Sequence, residues 1–378
     1  MITRQLQKLI QRRLKDKKVI IILGPRQAGK TTLLQQITTG NDLNALWWNG
    51  DETDTRISLK NPTSTLLKSF IGKHKLLIID EAQRIENIGL CIKLIHDNIE
   101  EVKVIATGSS AFELANKINE PLTGRKWEYY LFPISYGEMV DYHGKTDERR
   151  LLEHRLIYGY YPEVLNNPGD EKAILQQLSD SYLYKDILTW EKIQKPGRLE
   201  ALVQALAFQL GNEVSFFELS KTTGLDKETV ERYIILLERA FIIFRLRSFN
   251  RNLRTELKKS RKIYFYDNGL RNALIRNFQP VGLRNDTGAL WENFLVCERM
   301  KYLHYQQIYA NRYFWRTHDR QEIDYVEEKD GKLFAFEFKW NQNSKAKFPK
   351  IFTRTYPESE TLLITPGNFE EFISPPAF

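Results

Sequence analysis

The chain has 378 residues, of which 42% are hydrophobic and 28% are charged, and its 56 Lys and Arg against 48 Asp and Glu give a formal net charge of +8. At about 150 residues per domain this length predicts two or three domains, and the ordinary composition excludes a fibrous or wholly disordered chain. The longest apolar runs, such as Val19–Leu23, are much shorter than the ~18 residues that span a bilayer. The N-terminus lacks the apolar segment of a secretory signal, and Cys91 and Cys297 form no CxxC motif. We therefore expect a cytoplasmic protein without a disulfide framework or a cysteine zinc site.

Residues 1 to 140 alternate short β-rich runs with helical patterns, which is typical of an α/β domain with a parallel sheet. The predicted strands are Val19–Leu23, Ala45–Trp48, Lys75–Ile79 and Val102–Ala106. The predicted helices between them include Thr31–Thr38 and Leu90–Asn98, where apolar residues recur at helical spacing.

A phosphate-binding turn is predicted directly after the first strand. The run Gly24-Pro25-Arg26-Gln27-Ala28-Gly29-Lys30-Thr31 matches the pattern GxxxxGK[ST] and opens a helix. Backbone N–H groups of such a turn and the positive end of its helix cradle polyphosphate. We expect Lys30 to reach the β- and γ-phosphates and Thr31 to ligate Mg²⁺. The candidate nucleotide-binding residues are Gly24, Pro25, Arg26, Gln27, Ala28, Gly29, Lys30, Thr31 and Thr32.

The strand Lys75–Ile79 ends in Asp80 and Glu81. At the carboxyl edge of a parallel sheet, Asp80 is placed to hold Mg²⁺ through water and Glu81 to polarise the attacking water. The strand Ala45–Trp48 between the two motifs leaves room for the extra strand of additional-strand P-loop ATPases. The run Asp80-Glu81-Ala82-Gln83 also matches DExx-box helicases, but nothing after residue 150 supplies their second RecA-like domain, so we exclude that class.

Three further polar residues are candidates for the same site. Thr107 and Ser109 follow the strand Val102–Ala106 and are expected near the γ-phosphate, whereas Ser110 is equally well explained as a helix cap. Arg125 stands in a loop before a strand and is a candidate arginine finger, which would stabilise charge on the transferring phosphoryl group in its own subunit or in a neighbour.

The segment 214–249 has the pattern of a helix-turn-helix. Apolar residues fall on two helical faces separated by Thr223-Gly224-Leu225-Asp226, and the strand-like run Phe241–Leu246 adds a wing. Between Arg245 and Lys262, eight basic residues face one acid, Glu256, a net charge of +7. This basic stretch favours DNA binding. A solvated loop and a protein-binding winged helix remain alternatives, because the second helix mixes acidic with basic residues.

The last third of the chain carries a nuclease-like pattern. Asp324 stands at a strand start, and Glu337 and Lys339 follow on a hydrophobic strand, which is the PD-(D/E)xK arrangement. Asp324 and Glu337 are expected to converge on a metal ion across a hairpin, and Lys339 to orient or activate water. Glu292, on the predicted helix Leu290–Leu303, is the candidate helix carboxylate. Metal-dependent cleavage with a second Mg²⁺ or Mn²⁺ is one interpretation, and a fold kept for binding is the other.

The whole pattern resembles a prokaryotic family of AAA-type ATP-binding proteins whose C-terminal half is a domain of unknown function. The resemblance implies an ATPase core, a winged helix and a restriction-endonuclease-like domain, in that order. Here the nuclease motif reads Ile323-Asp324, without the proline of its family pattern. The matching stretches are Gly24–Thr32, 80–83, 107–110, Leu122–Arg125, 133–135, Tyr182–Leu188, 266–270, Gly288–Phe294, 315–317 and Glu322–Lys339.

The sequence thus predicts an α/β chain in four parts: a P-loop NTPase domain of the additional-strand, AAA type (1–140), a helical lid or linker (141–195), a winged helix-turn-helix with the basic segment (196–285) and a PD-(D/E)xK nuclease-like domain (286–378). We interpret it as a Mg²⁺-dependent ATPase switch in which bound ATP sets the orientation of residues 190–378, coupled to DNA binding and to metal-dependent cleavage if the nuclease-like part is active. The alternative is a signalling ATPase whose winged helix and inactive nuclease-like fold bind a protein partner. A toxin–antitoxin or defence effector fits the parts only by analogy.

Overall fold

The computed structural model describes residues 1–40, 44–109, 114, 117–181, 196–249, 261–317 and 319–374. They form two compact units, Met1–Ile134 with Arg239–Phe241 and Ser135–Glu238 with Ile242–Phe378. Among the helices of these residues, none combines the length and the apolar composition needed to cross a membrane. The predicted Ser110 cap and the stretch Tyr182–Leu188 lie outside the described residues.

The first unit is built on a five-stranded parallel sheet with the strand order β2-β3-β4-β1-β5. The inner strands β1 and β3 are rich in isoleucine and leucine and are buried along their whole length, as expected of parallel strands covered on both faces. The strands are β1 (Val19–Leu23), β2 (Ala45–Asn49), β3 (Leu76–Asp80), β4 (Lys103–Gly108) and β5 (Lys126–Tyr130).

The position of β4 in the sheet determines which residues lie next to the phosphate-binding turn. In the sheet, β4 lies between β1, which precedes the phosphate-binding turn, and β3, which ends in Asp80. The additional strand is therefore β4. Strand β2, which lies between these two motifs in the sequence, is the outermost strand of the sheet. Because all five strands run in parallel, Gly24, Asp80 and Gly108 come to the same carboxyl edge. The helices of this unit are α1 (Gln5–Arg13), α2 (Lys30–Gly40), α3 (Thr53–Ser58), α4 (Ser64–Ile71) and α5 (Ile88–Asn98), and a 3-10 turn spans Ala82–Arg84.

The second unit contains a seven-stranded mixed sheet with the order β12-β11-β10-β9-β7-β8-β6. The pairs β7–β8, β9–β10 and β10–β11 are antiparallel, whereas β7 runs parallel to β9 and β11 runs parallel to β12. One sheet therefore joins the strands of the predicted winged segment to those of the nuclease-like segment. The strands are β6 (Glu213–Val214), β7 (Ile243–Ser248), β8 (Arg261–Phe265), β9 (Asn311–Arg316), β10 (Glu322–Lys329), β11 (Lys332–Phe338) and β12 (Glu360–Ile364).

Twelve described helices surround this sheet or precede it in the chain. Asp267 caps the helix that follows β8 by accepting a hydrogen bond from the backbone N–H of Leu270 at 3.0 Å. The helices are α6 (Tyr136–His143), α7 (Lys145–Arg150), α8 (Leu152–Tyr158), α9 (Pro162–Asn166), α10 (Glu171–Ser181), α11 (Pro196–Phe208), α12 (Phe216–Thr223), α13 (Lys227–Arg239), α14 (Asn268–Leu274), α15 (Thr287–Tyr305), α16 (Lys350–Thr355) and α17 (Phe369–Ile373).

Helices α12 and α13 lie where the helix-turn-helix pattern predicts two helices. Gly224 between them adopts a left-handed conformation with φ of 65°, which a glycine reaches without steric cost. Asp226 caps α13 by accepting a hydrogen bond from the backbone N–H of Thr229 at 2.8 Å. The hairpin β7–β8 follows, with β7 beginning two residues after the predicted start at Phe241.

Helix α15 is buried on most of its sides. Trp291 and Phe294 stack with ring centroids 5.6 Å apart, and both rings contact Phe369 of α17. This packing holds α15 against α17 and thereby restricts the position of Glu292.

Candidate functional site

The turn between β1 and α2 can be built only with glycine at two positions. A Cβ on Gly24 would stand 2.1 Å from the carbonyl oxygen of Leu131, so the chain passes too close to the end of β5 for any side chain. Gly29 has φ of +91°, in the left-handed region that favours glycine. The nine predicted nucleotide-binding residues therefore form one continuous turn and helix start, in which Thr31 and Thr32 are exposed.

Arg4 supports this turn from outside the motif. Its guanidinium is buried and donates hydrogen bonds to the carbonyl oxygens of Ala28 at 2.7 Å and Phe132 at 2.6 Å. The sequence analysis did not identify this residue, because a single arginine before a helix carries no motif. Its role is to tie the phosphate-binding turn to the segment after β5.

Lys30 directs its ammonium group into the turn. Its Nζ donates to the carbonyl oxygens of Gly24 at 2.9 Å and Pro25 at 2.8 Å, and the side chain is buried. An ammonium held inside a glycine-rich turn at a helix N-terminus is placed to exchange these bonds for phosphate oxygens.

Asp80 links the turn to the end of β4. Its Oδ2 accepts a hydrogen bond from Thr31 Oγ1 at 2.7 Å, and its Oδ1 accepts a hydrogen bond from Thr107 Oγ1. A hydroxyl and a carboxylate in direct contact are hard oxygen donors, the set that Mg²⁺ prefers. The residues present therefore fit Mg²⁺ at Thr31 and Asp80, and its binding there stays a prediction.

Glu81 has an unusual backbone conformation and a fixed carboxylate. Its φ of 48° and ψ of 42° are left-handed, which costs a non-glycine residue about 1–3 kcal/mol and is found most often at functional sites. Its backbone N–H donates to Asp80 Oδ1 at 3.2 Å and to Thr107 Oγ1 at 3.3 Å. Ser109 Oγ donates to Glu81 Oε2 at 3.2 Å, so the structure brings Glu81, Thr107 and Ser109 together.

Arg125 lies at the opposite edge of the sheet. Its carbonyl oxygen accepts a hydrogen bond from the backbone N–H of Val19, at the start of β1, and its Nε donates to Asp97 Oδ1 at 2.9 Å. The five residues of β5, at ~3.3 Å each, put it roughly 17 Å from the edge that carries the phosphate-binding turn. The structure does not bring Arg125 to the turn of its own chain, and a role on a neighbouring copy stays a prediction.

The nuclease-like residues of β10 and β11 lie together in the second unit. The backbone N–H of Phe338 donates to Asp324 Oδ2 at 2.8 Å, and Lys339 Nζ lies 3.1 Å from Glu337 Oε2 and 3.9 Å from Asp324 Oδ2. The register of β10 on β9 shifts between Ile323 and Val326. A bulge at this point aims the Asp324 side chain away from the regular ladder.

Glu292 is bound to other partners. Its Oε1 accepts hydrogen bonds from Lys262 Nζ at 2.9 Å and from the Tyr264 hydroxyl at 2.6 Å. Lys262 is 1% exposed, and its Nζ also lies 2.5 Å from Glu322 Oε1. Burial alone would lower the pKa of Lys262, but the carboxylates of Glu292 and Glu322 raise it above its usual value. No sequence motif marks Tyr264 or Glu322 as partners of these groups, and Lys262 counts in the sequence among the eight basic residues of the stretch that favours DNA binding.

In this arrangement the predicted metal set of Glu292, Asp324 and Glu337 stays a prediction. Within the part of the chain that the structure describes, no three carboxylate, histidine or cysteine side chains stand close enough to hold a metal ion together. Glu292 is instead neutralised by the ammonium of Lys262. We derive no chemistry from a second Mg²⁺ or Mn²⁺ at these residues.

The basic segment is partly neutralised inside the fold. Arg245 forms a two-point ion pair with Glu238, and Arg261 lies 3.6 Å from Glu231. With Lys262 buried, three of its eight basic residues have acidic partners, and Arg247 is exposed. The other four, Arg251, Arg254, Lys258 and Lys259, lie outside the described residues.

Glu337 makes the stability of the second unit depend on pH. Burial and the neighbouring Asp324 raise its pKa to about 7, while Lys339 opposes the shift. A carboxyl whose pKa is higher in the folded chain stabilises the fold below its unfolded pKa, near 4.5, and this contribution is lost as the pH rises through 7. We expect Glu337→Gln to stabilise the unit relative to wild type by about 1–3 kcal/mol more at pH 8 than at pH 5.

Chemical denaturation of both proteins at the two pH values measures this difference. Glu371→Gln, which changes an exposed glutamate of the same unit, is the matched control. An equal gain from Glu337→Gln at both pH values would contradict the prediction.

Comparison with known proteins agrees with the geometry of the first unit. Residues 16–140 match the family model of an AAA domain, and residues 149–281 and 287–374 match the domains of unknown function DUF8612 and DUF4143. A Walker-type ATPase of Pyrococcus abyssi superposes with a TM-score of 0.50 at 14% identity, covering 73% of this chain and 96% of that one. At that identity the likeness concerns the fold alone.

Two relatives cover most of the chain. An uncharacterized protein of Mycobacterium tuberculosis is 25% identical over 333 residues, which are 87% of this chain and 72% of that protein. An uncharacterized protein of Haemophilus influenzae is 28% identical over 306 residues, which are 73% and 74% of the two chains. The comparisons thus support an AAA-type, P-loop ATPase-like fold for the first unit.

Proposed function

We propose that this chain is a Mg²⁺-dependent ATPase whose hydrolysis cycle switches DNA binding by the second unit. The observation that carries the ATPase assignment is the Asp80 carboxylate, which is hydrogen-bonded to Thr31 of the phosphate-binding turn and to Thr107 of β4. These hydrogen bonds connect the ends of three neighbouring strands. The groups that would bind Mg²⁺, activate water and respond to the γ-phosphate all lie at those ends.

Each side chain has a separate task in hydrolysis. Lys30 binds the β- and γ-phosphates, and Thr31 and Asp80 hold Mg²⁺, which neutralises developing charge on the phosphate oxygens. Glu81 accepts a proton from the attacking water. Ser109, next to Glu81, changes its hydrogen bonds when the γ-phosphate leaves.

DNA binding by the second unit rests on helices α12 and α13, on the hairpin β7–β8 and on exposed cations. Lys221, Lys227, Arg232 and Arg247 are exposed on these elements. Two helices joined by a tight turn and followed by a hairpin are the winged helix-turn-helix arrangement. Exposed lysines and arginines on such elements contact phosphates.

The test measures ATP turnover and DNA affinity with the same preparations. We expect Mg²⁺-dependent phosphate release in wild type and none in Lys30→Ala. DNA affinity should fall by roughly 0.9 log unit per log unit of salt for each neutralised phosphate, and it should differ between ATP-bound and nucleotide-free protein. No turnover in wild type would contradict the ATPase assignment, and affinity that does not change with nucleotide would contradict the switch.

We further propose that the nuclease-like part binds without cutting. The observation behind this is that the Lys262 ammonium donates a hydrogen bond to Glu292 and neutralises the predicted helix carboxylate. Plasmid and linear DNA incubated with Mg²⁺ or Mn²⁺, with and without ATP, should remain intact. Cleavage that disappears in Glu337→Ala/Lys339→Ala would overturn this proposal and assign Asp324, Glu337 and Lys339 as a nuclease site.

A regulatory ATPase with a protein partner is the second candidate. It is favoured by the internal ion pairs of Arg245, Arg261 and Lys262, which reduce the positive charge available to DNA. ATP turnover without salt-dependent DNA affinity would select this candidate.

A further inference from the structure

Gln83 lies in the 3-10 turn directly after Glu81 and is 4% exposed. Its Nε2 donates a hydrogen bond of 2.6 Å to Glu81 Oε2 and one of 3.0 Å to Ser109 Oγ. Ser109 Oγ also donates to Glu81 Oε2 at 3.2 Å. The amide, the hydroxyl and the carboxylate thus form a closed triangle in which both donors meet one oxygen of Glu81.

The backbone of Gln83 is held in place by a residue from another segment. Lys117 Nζ donates to the carbonyl oxygen of Gln83 and to that of Ile85 at 3.3 Å. On the other side, a Cβ on Gly108 would stand 3.1 Å from Gln83 Oε1, so the amide packs directly against the end of β4. These contacts restrict the amide to one position.

The orientation of the amide is determined by its chemistry. A flipped amide would set its carbonyl oxygen 2.6 Å from Glu81 Oε2, where two acceptors repel each other. In the observed orientation Oε1 is buried and has no hydrogen-bond partner among the described residues. An unsatisfied buried acceptor destabilises a fold. The amide nevertheless adopts this orientation, because the flipped one would lose the hydrogen bond from Nε2 to Glu81.

We propose that Gln83 is a positioning residue for ATP hydrolysis, which fixes the Glu81 carboxylate against the end of β4. This inference rests on the proposed ATPase function of the same site. Without such bonds, a glutamate side chain samples several rotamers. Gln83 and Ser109 both donate to Oε2 of Glu81, which leaves Oε1 to accept the proton of the attacking water. A misplacement of about 1 Å at such a group costs on the order of 10²-fold in rate.

Gln83 acts on the chemical step and not on nucleotide binding. Within the described residues, none of its hydrogen bonds reaches the turn Gly24–Thr32. The affinity for nucleotide should therefore be independent of its side chain, while turnover should depend on it. A residue that only stabilises the fold would not separate the two quantities in this way.

The test is Gln83→Met, which keeps the length of the side chain and removes its hydrogen bonds. We expect kcat for ATP to fall about 10- to 100-fold, with KM and the affinity for a non-hydrolysable ATP analogue unchanged within about twofold. The effect should vanish when Gln83→Met is added to Glu81→Gln, because a residue that acts through Glu81 has nothing left to position.

Gln36→Met is the matched control, since Gln36 is another glutamine of the first unit whose buried Oε1 has no hydrogen-bond partner among the described residues. It should keep the wild-type kcat. Unchanged kcat in Gln83→Met, an equal loss in Gln36→Met, or a loss that persists in full on the Glu81→Gln background would overturn the inference. Each of these outcomes presupposes turnover by wild type, so they are distinct from a failure of the ATPase assignment, in which wild type itself is inactive.

Discussion

Glu81→Gln is expected to lower the rate of ATP hydrolysis by about 10²- to 10⁴-fold, the range that general-base catalysis contributes, while nucleotide binding is retained. The amide has the shape of the carboxylate but cannot take a proton from water. Lys30, Thr31 and Asp80, which are expected to bind the phosphates and Mg²⁺, keep their hydrogen bonds. Steady-state phosphate release measures the loss, and a fluorescent ATP analogue measures the affinity.

The control for this variant is Glu86→Gln, an exposed glutamate five positions further along the chain that pairs with Lys60 at 3.7 Å. Because such an exposed pair contributes little, turnover should be unchanged. Wild-type turnover in Glu81→Gln would remove Glu81 from the role of general base. A loss of analogue binding would instead assign Glu81 to the nucleotide pocket.

The nucleotide site was predictable because its residues obey local rules. The glycine spacing before Lys30 and the buried strand ending at Asp80 each define a short element, and parallel strands end at one edge of a sheet. Because β4 ends at the same edge, Thr31 and Thr107 both donate hydrogen bonds to Asp80 there. The same alignment of parallel strands determines where Arg125 lies. It directly precedes β5 and is therefore at the amino ends of the strands, away from the expected phosphate site.

Supporting contacts from distant segments were not predictable in this way. Arg4 reaches Phe132 across 128 positions of sequence, and nothing near Arg4 indicates that partner. Gln83 is close to Glu81 in sequence, but its bond depends on the left-handed backbone of Glu81, which a side-chain pattern does not encode. Its sequence signal is its place in the run Asp80-Glu81-Ala82-Gln83, two residues after Glu81.

The basic segment shows why a charge count alone is a weak argument. Lys262 contributes to the +7 of that segment, yet β8 turns it inward to Glu292, 30 positions away. Strand alternation predicts that every second residue of β8 is buried, but it does not predict that an acid on α15 will face the lysine. The pairing of β7 with β9 extends one sheet through both segments and brings these groups together.

Lys262→Met is expected to destabilise the second unit by about 3–5 kcal/mol, the cost of leaving a buried charge without its partner. Methionine preserves the length of the side chain, so the loss reports the ammonium. Without it, Glu292 and Glu322 face each other near Asp324. Burial already raises the pKa of Glu292 to about 7, against the effect of Lys262. Its pKa should rise further in the variant, and the loss should be smaller at pH 5.5 than at pH 8.

Lys339→Met is the matched control, because Lys339 pairs with Glu337 at 3.1 Å but its side chain is 45% exposed. Water screens an ammonium that is 45% exposed, so this pair contributes less than a fully buried one, and its removal should change the melting temperature less than Lys262→Met does. Adding Glu292→Gln to Lys262→Met should restore a large part of the stability, since the uncompensated charge is then gone as well. Equal losses in the two lysine variants, or no recovery in the double variant, would show that Lys262 does not neutralise this cluster. The carboxylates would then be free for another cation, and the proposal that the nuclease-like part does not cut would lose its basis.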